Sequence, residues 1–255
     1  MTPVTTNKDL YTSREFLTWL DMQNLTKAEE YLITKYLNPN LLTVDAGTNG
    51  GRIVQGMRGL GFTALAGFDY IPELIEQAIV RDPSRTIDFQ VQDATELAYP
   101  DRSFDQIVYL EQILCTMESA ADSLKAVKES YRILKPDGIG LFSVLSFEAR
   151  TSGALYSSYY TYLKMLRKLR GDKLSIQYSP WLRAAGKLNF GAILDRAPYT
   201  YWYRVSEAYD LLKSVGFKIV AMGSDRQIST DRLKTTDREL LAEQISGPLY
   251  FVVKK

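Results

Sequence analysis

The sequence predicts an α/β fold: a parallel sheet with helices on both faces. Three observations carry that prediction. Short apolar runs alternate with amphipathic runs between residues 41 and 146, as in strands buried between two helical layers. A glycine turn, "DAGTNGGR" at 45–52, follows the first apolar run directly, the arrangement of a strand–turn–helix unit. At 45% hydrophobic and 24% charged over 255 residues, the composition suits one large globular domain.

The elements follow in order. "SREFLTWLDM" reads as a short helix. In "LTKAEEYLITKYL", Thr26 and Glu29 form a capping box that opens a second helix, because each side chain satisfies an amide the helix start leaves free. Pro39 closes this N-terminal helical section, residues 1–40. Strand "LLTVDAG" then leads to helix "GRIVQGMRGLG", and strand "TALAGFD" to a helix opened by Pro72, a residue suited to the first helical turn. Strand "IDFQVQD" and a polar connection precede strand "FDQIVYLE". In the next helix Met117, Ala120, Leu124, Val127, Tyr131 and Leu134 keep a three–four spacing. "PDG" turns the chain into strand "IGLFSVLS".

The alternation stops near Phe147. Residues 148 to about 200 are rich in tyrosine and basic side chains, with helical character in "ALYSSYYTYLKMLRKLRG". A helix ending at Gly216 and two strands, "KIVAMGSD" and "GPLYFVVKK", close the chain. No Pro/Gly/Ser-rich linker marks a boundary, so 147–202 is expected to be a helical cap inserted into a single domain, with 203–255 as the closing helix and strands.

Composition narrows the chemistry. A net charge of +1 gives no reason to expect a nucleic-acid partner. The single cysteine, Cys115, forms no internal disulfide and no zinc cluster. The polar start "MTPVTTNKDL" is not a signal peptide, and no apolar stretch is long enough to span a bilayer. A cytoplasmic protein without a membrane partner is therefore expected. There is no histidine, so any proton transfer falls to a carboxylate, Tyr, Lys, Cys115 or water.

In the glycine turn, Gly47, Gly50 and Gly51 let the backbone approach a ligand, and Asn49 suits a left-handed position. The helix behind directs free N–H groups at that ligand. Asp45 would repel a phosphate and suits a cationic group such as an ammonium. Asp69, at the second strand's end, is placed to accept from both hydroxyls of a ribose, although an acid there can also cap the helix begun by Pro72. Asp93, at the third strand's end, repeats the placement.

Taken together, these motifs resemble the class I S-adenosylmethionine-dependent methyltransferases of the small-molecule type. "VDAGTNGGR" is similar to their first motif, "GFDY" to their ribose-binding segment, and "VQDAT" to their adenine-contacting one. "FDQIVYLEQIL" and "RILKPDGIGLFSV" resemble their fourth strand and the helix–turn–fifth-strand section. The likeness covers about residues 30 to 146 plus the closing strands, and Asn49 stands where the family usually has glycine. It implies a Rossmann-like, seven-stranded, mostly parallel sheet with a reversed last strand, and a cofactor-binding core at 41–146. It also implies S-adenosylmethionine as cofactor. Asp45 would lie near the ammonium, Gly47 by the methionine part, and Asp69 on the ribose. Tyr70 or Ile71 would lie against adenine, and Asp93 on the adenine amino group with Ala94 beside it. Glu111 would face the methionine part or the acceptor, and Tyr11 and Arg14 would cover the cofactor.

The reaction so implied is methyl transfer to O or N of a small molecule such as a secondary metabolite, the type of step found in natural-product biosynthesis. It needs chiefly proximity and alignment. Base candidates are Glu111, Glu148, Asp195 or a tyrosinate, each of which can equally be structural. No metal is expected. Tyr156, Tyr160 and Leu163 read either as a core stripe or as part of an aromatic pocket; Lys164, Arg167, Lys168 and Arg170 read as a solvated face. Residues 148 to about 200 are expected to act as a mobile lid, with Gly153, Gly171, Gly186 and Gly191 as hinges. Two other readings stay open: a cofactor-holding module or partner subunit without chemistry, and a nicotinamide-dependent oxidoreductase, for which "GTNGGR" lacks the G-x-G-x-x-G spacing.

Overall fold

The computed structural model describes residues 24–181, 183–184, 187–196 and 198–255. The helix expected in 13–22, with Tyr11 and Arg14, lies outside the described residues. Helix α1 (Lys27–Tyr36) opens on the capping box: Thr26 N donates to Glu29 Oε2 at 2.7 Å, and Glu29 N to Thr26 Oγ1 at 3.3 Å.

Strands β1 (Thr43–Ala46), β2 (Leu65–Asp69), β3 (Asp88–Val91), β4 (Phe104–Tyr109) and β5 (Leu134–Val144) run parallel, in spatial order 3-2-1-4-5. Helices α2 (Arg52–Gly59), α3 (Pro72–Val80) and α4 (Ala120–Ile133) alternate with them. The "PDG" turn sits inside β5. Leu134 pairs with Phe104 and Ile139 with Gln106, so the residues between loop out, with Asp137 at φ +64°. Gly138 is required there, since a Cβ would lie 2.9 Å from both Asp105 O and Lys135 O.

After β5 come α5 (Phe147–Thr151) and α6 (Ala154–Arg170). The short strands β6 (Tyr178–Pro180), β7 (Arg183–Ala184), β8 (Lys187–Leu188) and β9 (Tyr199–Tyr201) follow, pairing β6 with β9 and β7 with β8. Helix α7 (Val205–Val215), β10 (Lys218–Ser224), the five-residue helices α8 (Asp225–Ser229) and α9 (Asp237–Leu241), and β11 (Leu249–Lys254) complete the order. The final strand β11 inserts between β5 and β10, antiparallel to both. This is the seven-stranded sheet with its reversed last strand. Helices α5, α8 and α9 are too short for sequence periodicity to register.

Side-chain alternation along the central strands separates two cores. Val44, Ala46, Ile107 and Tyr109 pack on one face with residues of α4 and α7; Val108 and Leu110 pack on the other with α1 and α2. The cap has a small core of its own, Phe147, Tyr160 and Leu163, with Tyr156 packed beside it. The tyrosine stripe of α6 is thus the core stripe. Arg167, expected on the solvated face, is buried on the same side.

Candidate functional site

At the carboxyl ends of β1–β3 the chain leaves a cleft of about 330 Å³. Gly47, Asp69, Tyr70, Asp93 and Ala94, five of the residues singled out from sequence, line it. The turn before α2 sets its floor. Gly47 has φ +62°, a conformation that strains any residue with a Cβ, and a Cβ there would also lie 2.4 Å from Ile113 Cδ1 and push that side chain aside. Gly51 caps α2 at φ +81°. Asn49 takes φ +50°, and its amide donates to Gly47 O at 3.3 Å and to Glu111 Oε2. The side chain that replaces the usual glycine therefore ties the turn to the end of β4.

Asp69 is held by the backbone. Ile71 N donates to its Oδ1 at 3.0 Å and Asn49 N to its Oδ2 at 3.1 Å. Burial, only partly offset by these bonds, pushes its carboxyl up to about 6. Tyr70 is 40% exposed along the cleft. Ile71 is buried, meets Asp69 through its backbone, and is not on the lining of the cleft. Asp93 accepts from Thr95 N and Oγ1, both at 2.8 Å and both on Oδ1.

Asp45 and Glu111 stand behind this cleft, not on its lining. Asp45 is buried, and its Oδ2 has no hydrogen-bond partner among the described residues. Desolvation first, then the nearby Glu111 charge, hold its carboxyl well above the usual range. A buried acid with an unused acceptor is the form a water-mediated ligand contact leaves behind. Glu111 is spent: Arg52 Nε donates to Oε1 at 2.7 Å, while the rest of the guanidinium forks onto Glu29 at 2.8 and 2.9 Å. These three charges are nearly inaccessible to solvent. Glu111 borders a second hollow, with Arg52, Gln112 and Tyr250.

The other two candidate bases are also engaged. Asp195 receives Arg167 Nε at 2.6 Å and Nη2 at 2.7 Å, both side chains buried. Arg167 further donates to Ser175 O and Tyr178 O, both at 2.7 Å. The expected solvated cation and the expected base are each other's partner. Glu148 accepts from Val205 N at the start of α7, at 3.3 and 3.4 Å.

The sequence reading missed the opposite wall of the cleft: Ile113, Thr116, Met117, Glu118 and Asp122, from the turn after β4 and the start of α4. A signal for it existed in "TMES", where Ser119 caps α4, but that identifies a helix start and not a wall. With this wall in place the lining carries four carboxylates, Asp69, Asp93, Glu118 and Asp122, and no Lys or Arg. Such a field favours a cationic ligand and repels a phosphate. The orphaned Asp45 oxygen, the Gly47 cradle and the buried Asp69 carboxyl fit a cofactor with a ribose and positive charge. Met117 also borders a smaller hollow, about 80 Å³, walled by Tyr178, Tyr201 and Tyr203. Among the described residues no group of three or more Cys, Asp or Glu is placed to hold a metal.

Comparison with known proteins agrees with this geometry. A methyltransferase-domain family matches residues 44–142. The chain is 29% identical over 182 residues to a ubiquinone/menaquinone biosynthesis C-methyltransferase UbiE of Rickettsia bellii, covering 67% of this chain and 71% of that one. It is 32% identical over 125 residues to the UbiE of Hydrogenovibrio crunogenus, covering 44% and 47% respectively. In structure it is similar to an S-adenosylmethionine-dependent methyltransferase of Methanosarcina mazei, with TM-score 0.65, 19% identity, and coverage of 91% of this chain and 98% of that one.

Proposed function

This chain is a class I S-adenosylmethionine-dependent methyltransferase, and from that premise we propose that it methylates an electron-rich aromatic small molecule, at a ring carbon or a phenolic oxygen. One observation carries the reading: Met117 borders both the acid-lined cleft and the tyrosine-walled hollow. A planar apolar ring in that hollow would lie next to the cofactor site. The relatives' names, which specify C-methylation in quinone biosynthesis, favour a hydroquinone-like ring and add carbon to the O or N expected from sequence.

S-adenosylmethionine supplies an electrophilic methyl on a sulfonium. The chain's own part is placement. Asp69 and Asp93 fix the nucleoside end, and the acids around the cleft favour the positive charge. Ile113 and Met117, which line the cleft, would shield the transferring methyl from water. Glu111, Glu148 and Asp195 are all held by partners, and burial pushes the Tyr201 and Tyr203 hydroxyls above the usual tyrosine range, against a tyrosinate, so the acceptor enters already nucleophilic and loses its proton to water. A nicotinamide cofactor is disfavoured, because its diphosphate would meet four carboxylates and no cation.

Calorimetry with S-adenosylhomocysteine, NAD and ATP in parallel tests the cofactor site; only the first should bind. A panel of phenols, hydroquinones and amines, read by mass spectrometry for a methyl gain, tests the acceptor. Transfer confined to amines would overturn the aromatic reading.

A further inference from the structure

The cap carries a feature that methyl transfer does not use. On α6 the buried residues Tyr160, Leu163 and Arg167 define the inner face. The opposite face presents Leu155, Met165 and Leu169 to solvent, with Leu155 79% and Leu169 77% exposed. Beside it runs the 3-10 turn Phe190–Leu194, with Phe190 74% exposed and Ile193 and Leu194 also exposed. The two are fastened together: Tyr162 Oη donates to Ile193 O at 2.7 Å, Tyr159 Oη to Ala192 O at 3.1 Å, and Arg170 Nη1 to Leu194 O at 2.9 Å. Their exposed apolar side chains therefore lie on adjacent elements, and such clustering marks an interaction site.

Charge identifies the occupant. Residues 154–196 hold eight Lys and Arg against two Asp, a net of +6, while the whole chain has +1. The remaining residues together therefore carry −5. Inside the segment Arg167 and Asp195 neutralise each other. Lys164 and Lys168, both exposed, flank the apolar stripe on the helix. A second copy of this chain would set one basic segment against another. A helix with an apolar stripe and a basic rim lies in the boundary between headgroups and acyl chains, where the cations meet anionic lipid.

We propose that the outer face of the cap, α6 with the adjacent 3-10 turn, docks the protein flat on an anionic phospholipid surface. Such a contact needs no spanning segment, and among the described residues no helix is long and apolar enough to cross a membrane. This replaces the expectation of no membrane partner with a peripheral contact, and it stands whether or not the aromatic acceptor is correct.

The test is flotation of the full chain with vesicles of phosphatidylcholine alone and of phosphatidylcholine mixed with phosphatidylglycerol. Binding is expected to the mixed vesicles only, and to weaken as salt rises. Leu169→Glu with Phe190→Glu, and separately Lys164→Glu with Lys168→Glu, should each lower the bound fraction about tenfold or more. Calorimetric binding of S-adenosylhomocysteine should be unchanged in both variants, which shows that they are folded. Three outcomes would overturn the proposal: equal recovery with the two vesicle types, variants that float as the parent does, or a lipid-free dimer that the same substitutions abolish.

Discussion

Asp69 and Asp195 are both buried acids, 4% and 7% exposed, and they teach opposite lessons. Asp69 sits in the core half of the molecule, holds only backbone amides, and borders a cleft. Asp45, one strand away, leaves an oxygen with no partner among the described residues. Asp195 sits in the cap with both oxygens taken by one guanidinium. Burial alone does not mark a functional acid. What separates the two regions is whether the acceptor capacity is already used. In the core half Asp69 and Asp45 keep polar capacity in reserve for a ligand while Glu29 and Glu111 spend theirs on Arg52; the buried pair of the cap spends all of its own on holding the cap together.

The largest effect should come from removing a cation that carries such a tie. Arg52 separates Glu29 from Glu111, and Arg52→Met leaves two buried carboxylates facing each other. A loss at or above the top of the range of about 3–5 kcal/mol is expected in urea unfolding. A loss under 1 kcal/mol would mean that Glu111 is not structurally committed and returns as a base candidate.

Arg167→Met in the cap leaves one buried acid, and should cost about 3 kcal/mol. Arg167→Met with Asp195→Leu should recover most of that, because the unpaired charge goes with its partner. Affinity of the folded protein for S-adenosylhomocysteine should not change in either variant. A double variant as unstable as the single, or one with intact stability but no turnover, would break the contrast between the two acids.

Asp69→Asn tests the other side of the contrast. Asn keeps one acceptor for the two backbone amides that Asp69 holds, so unfolding should cost about 1–3 kcal/mol, and S-adenosylhomocysteine should bind more weakly by about 1–3 kcal/mol, since a charged acceptor of ribose hydroxyls is lost. The pH dependence sharpens this. A carboxyl raised to about 6 holds its proton in the folded state where the unfolded chain has released it. The stabilisation linked to that proton is full at low pH and fades as pH rises from the ordinary carboxylate range through about 6. Ligand binding runs the other way, because the hydroxyls donate to the ionised form. Affinity should rise between pH 5 and 7 in the parent and stay flat in Asp69→Asn, as read by calorimetry at each pH.

The contrast also explains what the sequence could reveal. The core's signals are local. Gly47 follows its strand directly, Asp69 and Asp93 end theirs, and the Thr26–Glu29 box spans three positions. Each is set by backbone geometry over a few residues, so each is readable. The Arg167–Asp195 pair joins positions 28 apart, and the Arg52–Glu111 pair positions 59 apart. Nothing local selects either partner, so Arg167 reads as a solvated cation and Asp195 as a free acid. The wall from Ile113 to Asp122 reads simply as helix approach, because only the sheet brings it opposite Asp69.

The smallest effect is expected at Glu148, where the two kinds of acid are hardest to tell apart. It is half-buried near the cap's entry, and Val205 N donates to both of its oxygens at 3.3 and 3.4 Å. Val205 opens α7, so the carboxylate sits at a helix start, where negative charge meets free amides and the positive end of the dipole. Glu148→Gln keeps an acceptor and removes the charge, which should cost about 0.3–1 kcal/mol of stability. Turnover should be unchanged across pH. A general base would behave otherwise: losing it should lower kcat by about 10²–10⁴ and flatten the acid limb of the pH–rate profile. A large drop in kcat with unfolding unaltered would move Glu148 from the cap's internal bonding to the chemistry of the cleft, and the division of labour between the two regions would have to be redrawn at that residue.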